Sequence, residues 1–173
     1  MVFEDVCENF NRIYSATHPL IPMNPYNPFE VRAIESPLTR PLRHRVLWPH
    51  IKQESDCIID IDERADAIHL GTFDGDRLVS VGSLFAMNTQ KLDFTYQYRL
   101  RAMATDAEYR GKDAGRVLIE TAIAKLKGIT AEVLWCDARL HATGFYEKLG
   151  FQKLEEVYEV KNIGPHQFMW VEL

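Results

Sequence analysis

Apolar and polar residues recur along the first third of the chain with spacings that predict a helix, a strand and a second helix. In residues 1–17 the apolar side chains follow helical spacing, at Phe3, Val6, Phe10, Ile13 and Tyr14. A proline at every third position up to Pro28 then favours an extended, polyproline-like connector. Alternation predicts a first strand over Phe29–Glu35. Ser36-Pro37 is typical of a helix start, with the serine as N-cap, and this helix would end at Pro49.

The middle of the chain predicts three strands, two of them joined by a hairpin. These strands span residues 65–73, 77–87 and 94–105. Asp74-Gly75-Asp76 between the first two predicts a tight turn, because glycine readily takes the positive φ that such a turn needs. Leu100 and Met103 are three residues apart, whereas side chains on one face of a strand repeat every two. A β-bulge near Arg101-Ala102 would place both in the same layer.

The last third predicts two helices and three strands. One helix follows Gly115 and ends at Gly128, with an apolar stripe formed by Leu118, Ile119, Ala122, Ile123 and Leu126. A strand over residues 132–136 precedes a helix over 138–149, for which Asp137 is the expected N-cap. Strands over 151–160 and 167–173 follow. This order predicts an α/β (α+β) domain over residues 29–173, a mixed sheet with helices on its faces, after an N-terminal segment of residues 1–28.

Composition adds the class of protein and its expected compartment. The 173 residues are 46% apolar and 26% charged, which is ordinary for one soluble globular domain. The net charge of −5 argues against a general nucleic-acid binder, and no stretch approaches the roughly 18 apolar residues of a membrane span. Three cysteines and the lack of a secretory pattern near Met1 fit a reducing cytoplasm. Six histidines without paired spacing, and no Cys-x-x-Cys, predict no metal site.

A basic turn of small residues, Arg110-Gly111-Lys112-Asp113-Ala114-Gly115, joins the third of these strands to the helix after it. Backbone N–H groups and the positive end of a helix dipole at such a junction favour phosphate or pyrophosphate. The alternative is an ordinary turn with solubilising charges. A P-loop is excluded because Lys112 is not followed by Ser or Thr, and the glycine spacing is not that of a dinucleotide-binding unit.

Three segments together resemble the GCN5-related N-acetyltransferase (GNAT) superfamily. They are the strand Leu100–Thr105, the stretch Glu108–Leu118, and Ala138 followed by Phe145-Tyr146-Glu147-Lys148-Leu149-Gly150-Phe151. The resemblance is strong over the C-terminal half and concerns mainly element order in the N-terminal half. It implies a mostly antiparallel sheet in which the bulged fourth strand splays from the fifth. It also implies an N-acetyltransferase whose acetyl donor, acetyl-CoA, lies in that opening.

The resemblance further implies which residues bind the donor and which assist the chemistry. Pantetheine would pair with backbone groups of Met103, Ala104 and Thr105. The pyrophosphate would lie on the turn, whose residues are Arg110, Gly111, Lys112, Asp113, Ala114, Gly115 and Arg116. Tyr146 would protonate the leaving thiolate, since a phenol with a pKa of about 10 is protonated at neutral pH. The oxyanion donor would be a backbone N–H near Thr105.

The turn departs from the family pattern at one position. Asp113 stands where the family has its middle glycine. A carboxylate repels a pyrophosphate, and its β-carbon restricts the positive φ that glycine takes freely. Arg110, Lys112 and Arg116 could offset the charge. The sequence therefore predicts weaker cofactor binding than with glycine, unless the Asp113 side chain points into water.

The general base and the acceptor are not identified by the sequence. Arg99 and Arg101 occupy positions where some relatives place an acidic residue, and the base candidates are His69, Asp137 and His141. The arginines, together with the basic cluster Arg43-His44-Arg45, are weak indications of an acidic acceptor. The expected acceptor is a primary amine of a small molecule or peptide. A non-catalytic CoA-binding or protein-interaction module is the alternative function, and a homodimer is left open.

Overall fold

A seven-stranded mixed sheet forms the centre of the structure. The computed structural model describes residues 28–173, so the helix expected in residues 1–17 and the connector after it lie outside the described residues. The strands are β1 Phe29–Ala33, β2 Ile68–Asp74, β3 Arg77–Ala86, β4 Gln97–Thr105, β5 Val133–Arg139, β6 Gln152–Val160 and β7 Gly164–Glu172. Their order in the sheet is β1-β2-β3-β4-β5-β7-β6. Within this part of the chain the β4–β5 pairing is parallel and the other five are antiparallel.

Helices pack on both faces of this sheet. They are α1 Ser36–Leu42, which continues into a π-helical turn over Arg43–Leu47, α2 Ala114–Gly128 and α3 Thr143–Glu147. The apolar stripe of α2 is buried as predicted, since Leu118 packs in one cluster with Leu84 of β3. Leu42 of α1 packs instead with Val81, whose side chain points to the opposite face of β3. Each fully buried leucine contributes about 1.5–3 kcal/mol. No helix within residues 28–173 is long and apolar enough to cross a bilayer.

The start of α1 differs from the prediction. Glu35, with extended backbone angles, occupies the N-cap position, and Ser36 is the first helical residue. The Ser36 hydroxyl donates to Glu63 Oε1 at 2.8 Å instead of capping the helix. Pro41 lies inside the helix and has no N–H to donate. The helix widens into its π turn soon after, where the Trp48 N–H donates to the Arg43 carbonyl at 3.0 Å.

The predicted hairpin and bulge are both confirmed. Gly75 in the β2–β3 turn has φ +57°. In the β3–β4 ladder, Ser83 is opposite Arg101 and Val81 is opposite Ala104, so two β4 residues face Gly82 alone. One of these two, Ala102, has φ +47°. The bulge thereby resolves the change of phase along β4.

The helix predicted over residues 138–149 is wrong in its first part. Asp137, Ala138 and Arg139 belong to β5, and Ala138 pairs with Gln167 of β7. Asp137 is therefore not an N-cap, because the ladder to β7 fixes an extended backbone that local propensity does not reveal. The helical part is a 3₁₀ turn over residues 140–142 followed by α3. Strand β7 also begins earlier than predicted, at Gly164.

Candidate functional site

A cleft opens where β4 and β5 diverge. The two strands pair only from Gln97 to Arg99 with Val133 to Trp135. Beyond these residues the strands separate, and the space between them widens into a cleft of about 920 Å³. From Leu100 onwards, the edge of β4 that faces β5 has no strand partner among residues 28–173. Unpaired edge groups of this kind can accept an extended ligand as an additional strand.

The turn from Arg110 to Arg116 borders this cleft and presents backbone donors. Gly111 has φ +73° and Asp113 has φ +69°. The N–H groups of the first turn of α2, from Ala114 to Arg116, have no acceptor inside the helix, and no side chain in the described part of the chain caps them. By contrast, the Lys112 N–H donates to the Tyr109 carbonyl at 3.3 Å. The start of this 15-residue helix can therefore bind an anion through its N–H groups and its dipole.

Gly115 brings this helix against the bulged strand. A β-carbon at this position would lie 2.9 Å from Met103 Cε and 3.0 Å from Thr105 Oγ1. Both distances are too short for any residue larger than glycine without a shift of the neighbours. The turn before α2 and the free edge of β4 therefore approach each other closely at Gly115.

The structure brings most of the sequence-predicted site residues together. The cleft is lined by Met103, Ala104, Thr105, Arg110, Gly111, Asp113, Gly115, Arg116 and Tyr146. Lys112 lies elsewhere: its ammonium is 5.7 Å from the centre of the Tyr109 ring, and it lines a separate hollow with Phe29. Ala114 is fully buried, and its carbonyl accepts the Thr72 hydroxyl at 3.1 Å. A role for these two residues remains a prediction that concerns their backbone alone.

The Asp113 side chain forms an ion pair with the first turn of α2. Its Oδ1 accepts from Arg116 Nε at 2.9 Å, and the carboxylate is largely exposed. This hydrogen bond lowers the pKa of Asp113, so the group is charged at neutral pH. Arg116 also donates to Glu120 at 3.0 Å, and the same contacts raise its own pKa. The carboxylate that replaces glycine is therefore partly neutralised, by an arginine that is shared with Glu120.

Tyr146 lines the cleft from α3 and is 7% exposed. Its ring packs against Phe145 and Phe151, with centroid distances of 5.0 Å and 5.2 Å. Burial raises the pKa of Tyr146 well above its usual value, with a smaller effect from Cys136. The phenol is consequently protonated throughout the physiological pH range and can donate a hydrogen bond. Burial also raises the pKa of Cys136, which is therefore a neutral thiol and a poor nucleophile.

The three candidates for the general base differ in their hydrogen bonds and in whether they line the cleft. Both ring nitrogens of the buried His69 are engaged, with Ser83 Oγ at 2.8 Å and the Asp62 carbonyl at 2.9 Å. Asp137 and His141 do line the cleft. Asp137 is held by Arg99, at 2.5 Å, and by the Tyr158 hydroxyl.

The basic cluster Arg43-His44-Arg45 supports the fold rather than the cleft. Arg43 is completely buried, donates to both carboxylate oxygens of Asp62, and donates to Ser83 Oγ at 2.8 Å. Burial alone would raise the pKa of Asp62, but the hydrogen bonds from Arg43 and the Ile59 N–H outweigh it and lower the pKa. Arg45 pairs with Asp106 at 2.9 Å. Because these two arginines are paired within the domain and do not line the cleft, the cluster does not support the acidic acceptor that the sequence indicated.

Several cleft residues were missed by the sequence reasoning. Lys91, Arg139, Tyr158 and His166 line it from the loop before β4 and from strands β5 to β7. Tyr158 and His166 meet because they are paired across β6 and β7. The alternation of Trp135, Asp137 and Arg139 was a usable signal, since it places these side chains on one face of a strand. No local pattern could have shown that Lys91 reaches the same face.

Comparison with known proteins gives consistent matches. A family model described as acetyltransferase (GNAT) domain matches residues 59–173. YitI of Bacillus subtilis (strain 168), an uncharacterized N-acetyltransferase, is 38% identical over 141 residues, which are 82% of this chain and 94% of YitI.

Two solved structures show the same fold. Escherichia coli ElaA aligns with a TM-score of 0.63 and 20% identity over 82% of this chain and 98% of its own. An aminoglycoside 6'-N-acetyltransferase complexed with coenzyme A aligns with a TM-score of 0.64 and 14% identity over 83% of this chain and 96% of its own. At these identities the likeness concerns the fold alone. It confirms the predicted mixed, mostly antiparallel sheet with a splayed central strand pair.

Proposed function

Since the chain belongs to the acetyltransferase (GNAT) domain family, whose members are acyltransferases, we propose that it transfers an acetyl group from acetyl-CoA to a primary amine. The acceptor belongs to a small molecule or a peptide. One observation carries the proposal. The free edge of β4, the anion-binding start of α2 and the protonated Tyr146 all border a single cleft.

The residues of the cleft fit the two polar parts of the donor. The unpaired edge of the bulged strand at Met103, Ala104 and Thr105 presents amide groups that suit the amides of pantetheine. The N–H groups at the start of α2 suit the pyrophosphate, as do the Arg110 and Arg116 side chains that line the cleft beside them. The solved aminoglycoside acetyltransferase, which is complexed with coenzyme A, shares this fold.

The chemistry is a direct transfer with Tyr146 as the acid. The neutral amine attacks the thioester carbonyl, and a backbone N–H of the bulged strand near Thr105 stabilises the oxyanion. As the C–S bond breaks, the Tyr146 hydroxyl donates its proton to the sulfur. The protonated nitrogen of the product loses one proton to solvent, and the Tyr146 phenolate takes one proton from solvent, which restores the phenol. A covalent acetyl-cysteine is disfavoured, because the buried Cys136 is held as a thiol.

The substitution Tyr146→Phe tests the assignment of the acid. It removes the hydroxyl and keeps the ring that packs against Phe145 and Phe151. We expect kcat to fall by about 10²–10⁴-fold, the usual scale for a general acid, while the Kd for acetyl-CoA from calorimetry stays within about 2-fold.

The matched control is Tyr96→Phe, which removes a hydroxyl outside the cleft lining. This variant is expected to retain full activity. If Tyr146→Phe turned over as fast as the wild type, Tyr146 would have no part in the mechanism. If neither the wild type nor any variant released CoA faster than the uncatalysed background, the non-catalytic alternative would be favoured.

A further inference from the structure

The side of the cleft that faces α1 carries an excess of positive charge. We call the α1 side of the cleft the surface formed by Val46, Leu47, Trp48, Lys91, Arg99, Arg101, Asp137, Arg139 and Tyr158. Four of these side chains are cationic and one is a carboxylate, in a protein with a net charge of −5. Charge of one sign that is concentrated in a cleft raises the local concentration of oppositely charged ligands.

One of the cations is already neutralised. Arg99 donates to Asp137 Oδ2 at 2.5 Å, and its guanidinium lies 4.7 Å from the centre of the Trp135 ring. Asp137 accepts a second hydrogen bond from the Tyr158 hydroxyl. The charges of Arg99 and Asp137 therefore balance each other, although Arg99 Nε has no hydrogen-bond partner among residues 28–173, and this pair is not the source of the excess charge.

Arg101 is poorly neutralised by comparison. It lies one residue before the bulge, and its side chain is 33% exposed. Its ion pair with Asp60 is long, at 3.4 Å, and the Asp60 side chain is 83% exposed. Burial, and after it the charge of the neighbouring Arg99, lower the pKa of Arg101, and they outweigh the opposing effects of Asp60 and Asp62.

Arg139 adds to the charge that an incoming anion would meet. It donates to the Leu47 carbonyl at 3.2 Å, at the end of the π-helical turn. Among residues 28–173 it forms no ion pair. The positive charge that remains on the strands of this side of the cleft is therefore that of Arg101 on β4 and Arg139 on β5, the two strands that carry the Arg99–Asp137 pair.

We propose that the acceptor amine also carries a carboxylate, which Arg101 binds on the α1 side of the cleft. The guanidinium fork matches a carboxylate with two parallel hydrogen bonds, and such contacts orient a substrate as well as attract it. A bound carboxylate would replace the distant Asp60 as the partner of Arg101. This inference rests on the proposed acetyl transfer, and it specifies the substrate class of the same site.

The test compares amine pairs that differ only in the carboxylate. The substrate pairs are free amino acids with their amides, and short peptides with their C-terminal amides. CoA release from each is measured for the wild type and for Arg101→Gln, Arg101→Lys and Arg32→Gln. Arg32 pairs with Glu30 on the surface of β1 outside the cleft, which makes it a matched arginine control. Calorimetry with acetyl-CoA is run on each variant.

We expect the wild type to prefer the carboxylate member of a pair. Arg101→Gln should lower kcat/KM for that member by about 10–100-fold, the scale of a hydrogen bond to a charged group, and leave its amide within about 2-fold. Arg101→Lys should restore part of the loss, Arg32→Gln should behave as wild type, and the Kd for acetyl-CoA should not change.

Other results overturn the inference. They are an absence of preference in the wild type, an equal loss on both members of a pair in Arg101→Gln, and acetyl-CoA binding without turnover of any carboxylate-bearing amine. An equal loss would mean that the pair of Arg101 with Asp60 is structural. A protein that binds no acetyl-CoA would be a different failure, because it would overturn the proposed function itself.

Discussion

Replacing Asp113 by glycine should tighten the binding of acetyl-CoA. Asp113 holds a left-handed backbone conformation, with φ +69°, at the position just before α2. Its carboxylate takes one hydrogen bond of Arg116, a side chain that lines the cleft beside the predicted pyrophosphate site. The substitution removes a negative charge from this site and releases one donor of Arg116.

The expected magnitude follows from the exposure of the group. Coulomb effects between exposed charges are screened, and surface ion pairs contribute about 0.2–1 kcal/mol. Charges at the end of a helix contribute about 0.3–1 kcal/mol. Loss of the repulsion together with release of Arg116 should therefore favour binding by about 1 kcal/mol, which is roughly a fivefold lower Kd.

The effect of the same substitution on stability should be small. Glycine relieves a left-handed conformation that costs an ordinary L-residue about 1–2 kcal/mol and aspartate less. It also removes a carboxylate from the start of α2, where a negative charge stabilises the helix by about 0.3–1 kcal/mol. These contributions oppose each other, and the free energy of unfolding should change by less than about 1 kcal/mol.

The assay is calorimetric titration with acetyl-CoA, once at low salt and once at about 0.5 M salt, where interactions between exposed charges are largely screened. Asp113→Asn removes the charge and keeps a side chain that tolerates positive φ, so it isolates the electrostatic part. Asp93→Asn, which removes an exposed carboxylate outside the cleft, is the control. We expect Asp113→Gly and Asp113→Asn to bind more tightly and the gain to shrink in high salt. Unchanged affinity in both variants would refute the electrostatic reasoning, and a gain with glycine alone would assign the effect to the backbone.

Two further substitutions test the packing that supports the site. Gly115→Ala should lower the free energy of unfolding by about 1 kcal/mol, the low end of the range for overpacking, and weaken acetyl-CoA binding, because its β-carbon would lie 3.0 Å from Thr105 Oγ1, whereas the Met103 Cε end can move aside. Gly144→Ala, whose β-carbon would meet nothing within 4 Å, is the control, and equal behaviour of the two variants in urea unfolding would contradict the close packing. Asp62→Asn should lower stability at pH 7 by about 3–5 kcal/mol, because it leaves a buried arginine without its counter-charge. The pKa of Asp62 is lowered in the fold, so its contribution is present above the unfolded pKa of about 4 and is lost as the pH falls through the folded value. The difference between Asp62→Asn and wild type should therefore shrink in acid, and a difference that is constant with pH would contradict this account.

The parts of the fold that were predictable rest on local signals. The change of phase between Leu100 and Met103 predicted the bulge, because a period of two leaves no other way to bury both side chains in one layer. The apolar stripe after Gly115 predicted the helix that follows the turn, and Asp-Gly predicted the hairpin. Each of these signals lies within a few residues of the feature that it specifies.

The parts that were missed depend on contacts between distant segments. Asp137 looks like a helix N-cap in its local sequence, but pairing with β7 keeps it in a strand. Arg43 belongs to a basic cluster that is typical of a surface, yet its partner Asp62 lies in a loop 19 residues later and the pair is buried. The α1 side of the cleft likewise combines Lys91 with Tyr158, which no spacing along the chain connects.

Whether this cleft transfers acetyl groups to amines is measured by the release of CoA that depends on an added amine. The wild-type protein is mixed with acetyl-CoA and an amine panel that includes carboxylate-bearing members, and free thiol and acetylated amine are both quantified. The account predicts that thiol is released in proportion to amine concentration and that acetylated amine accumulates in equal molar amount. Acetyl-CoA binding without amine-dependent thiol release from any member of the panel would contradict it.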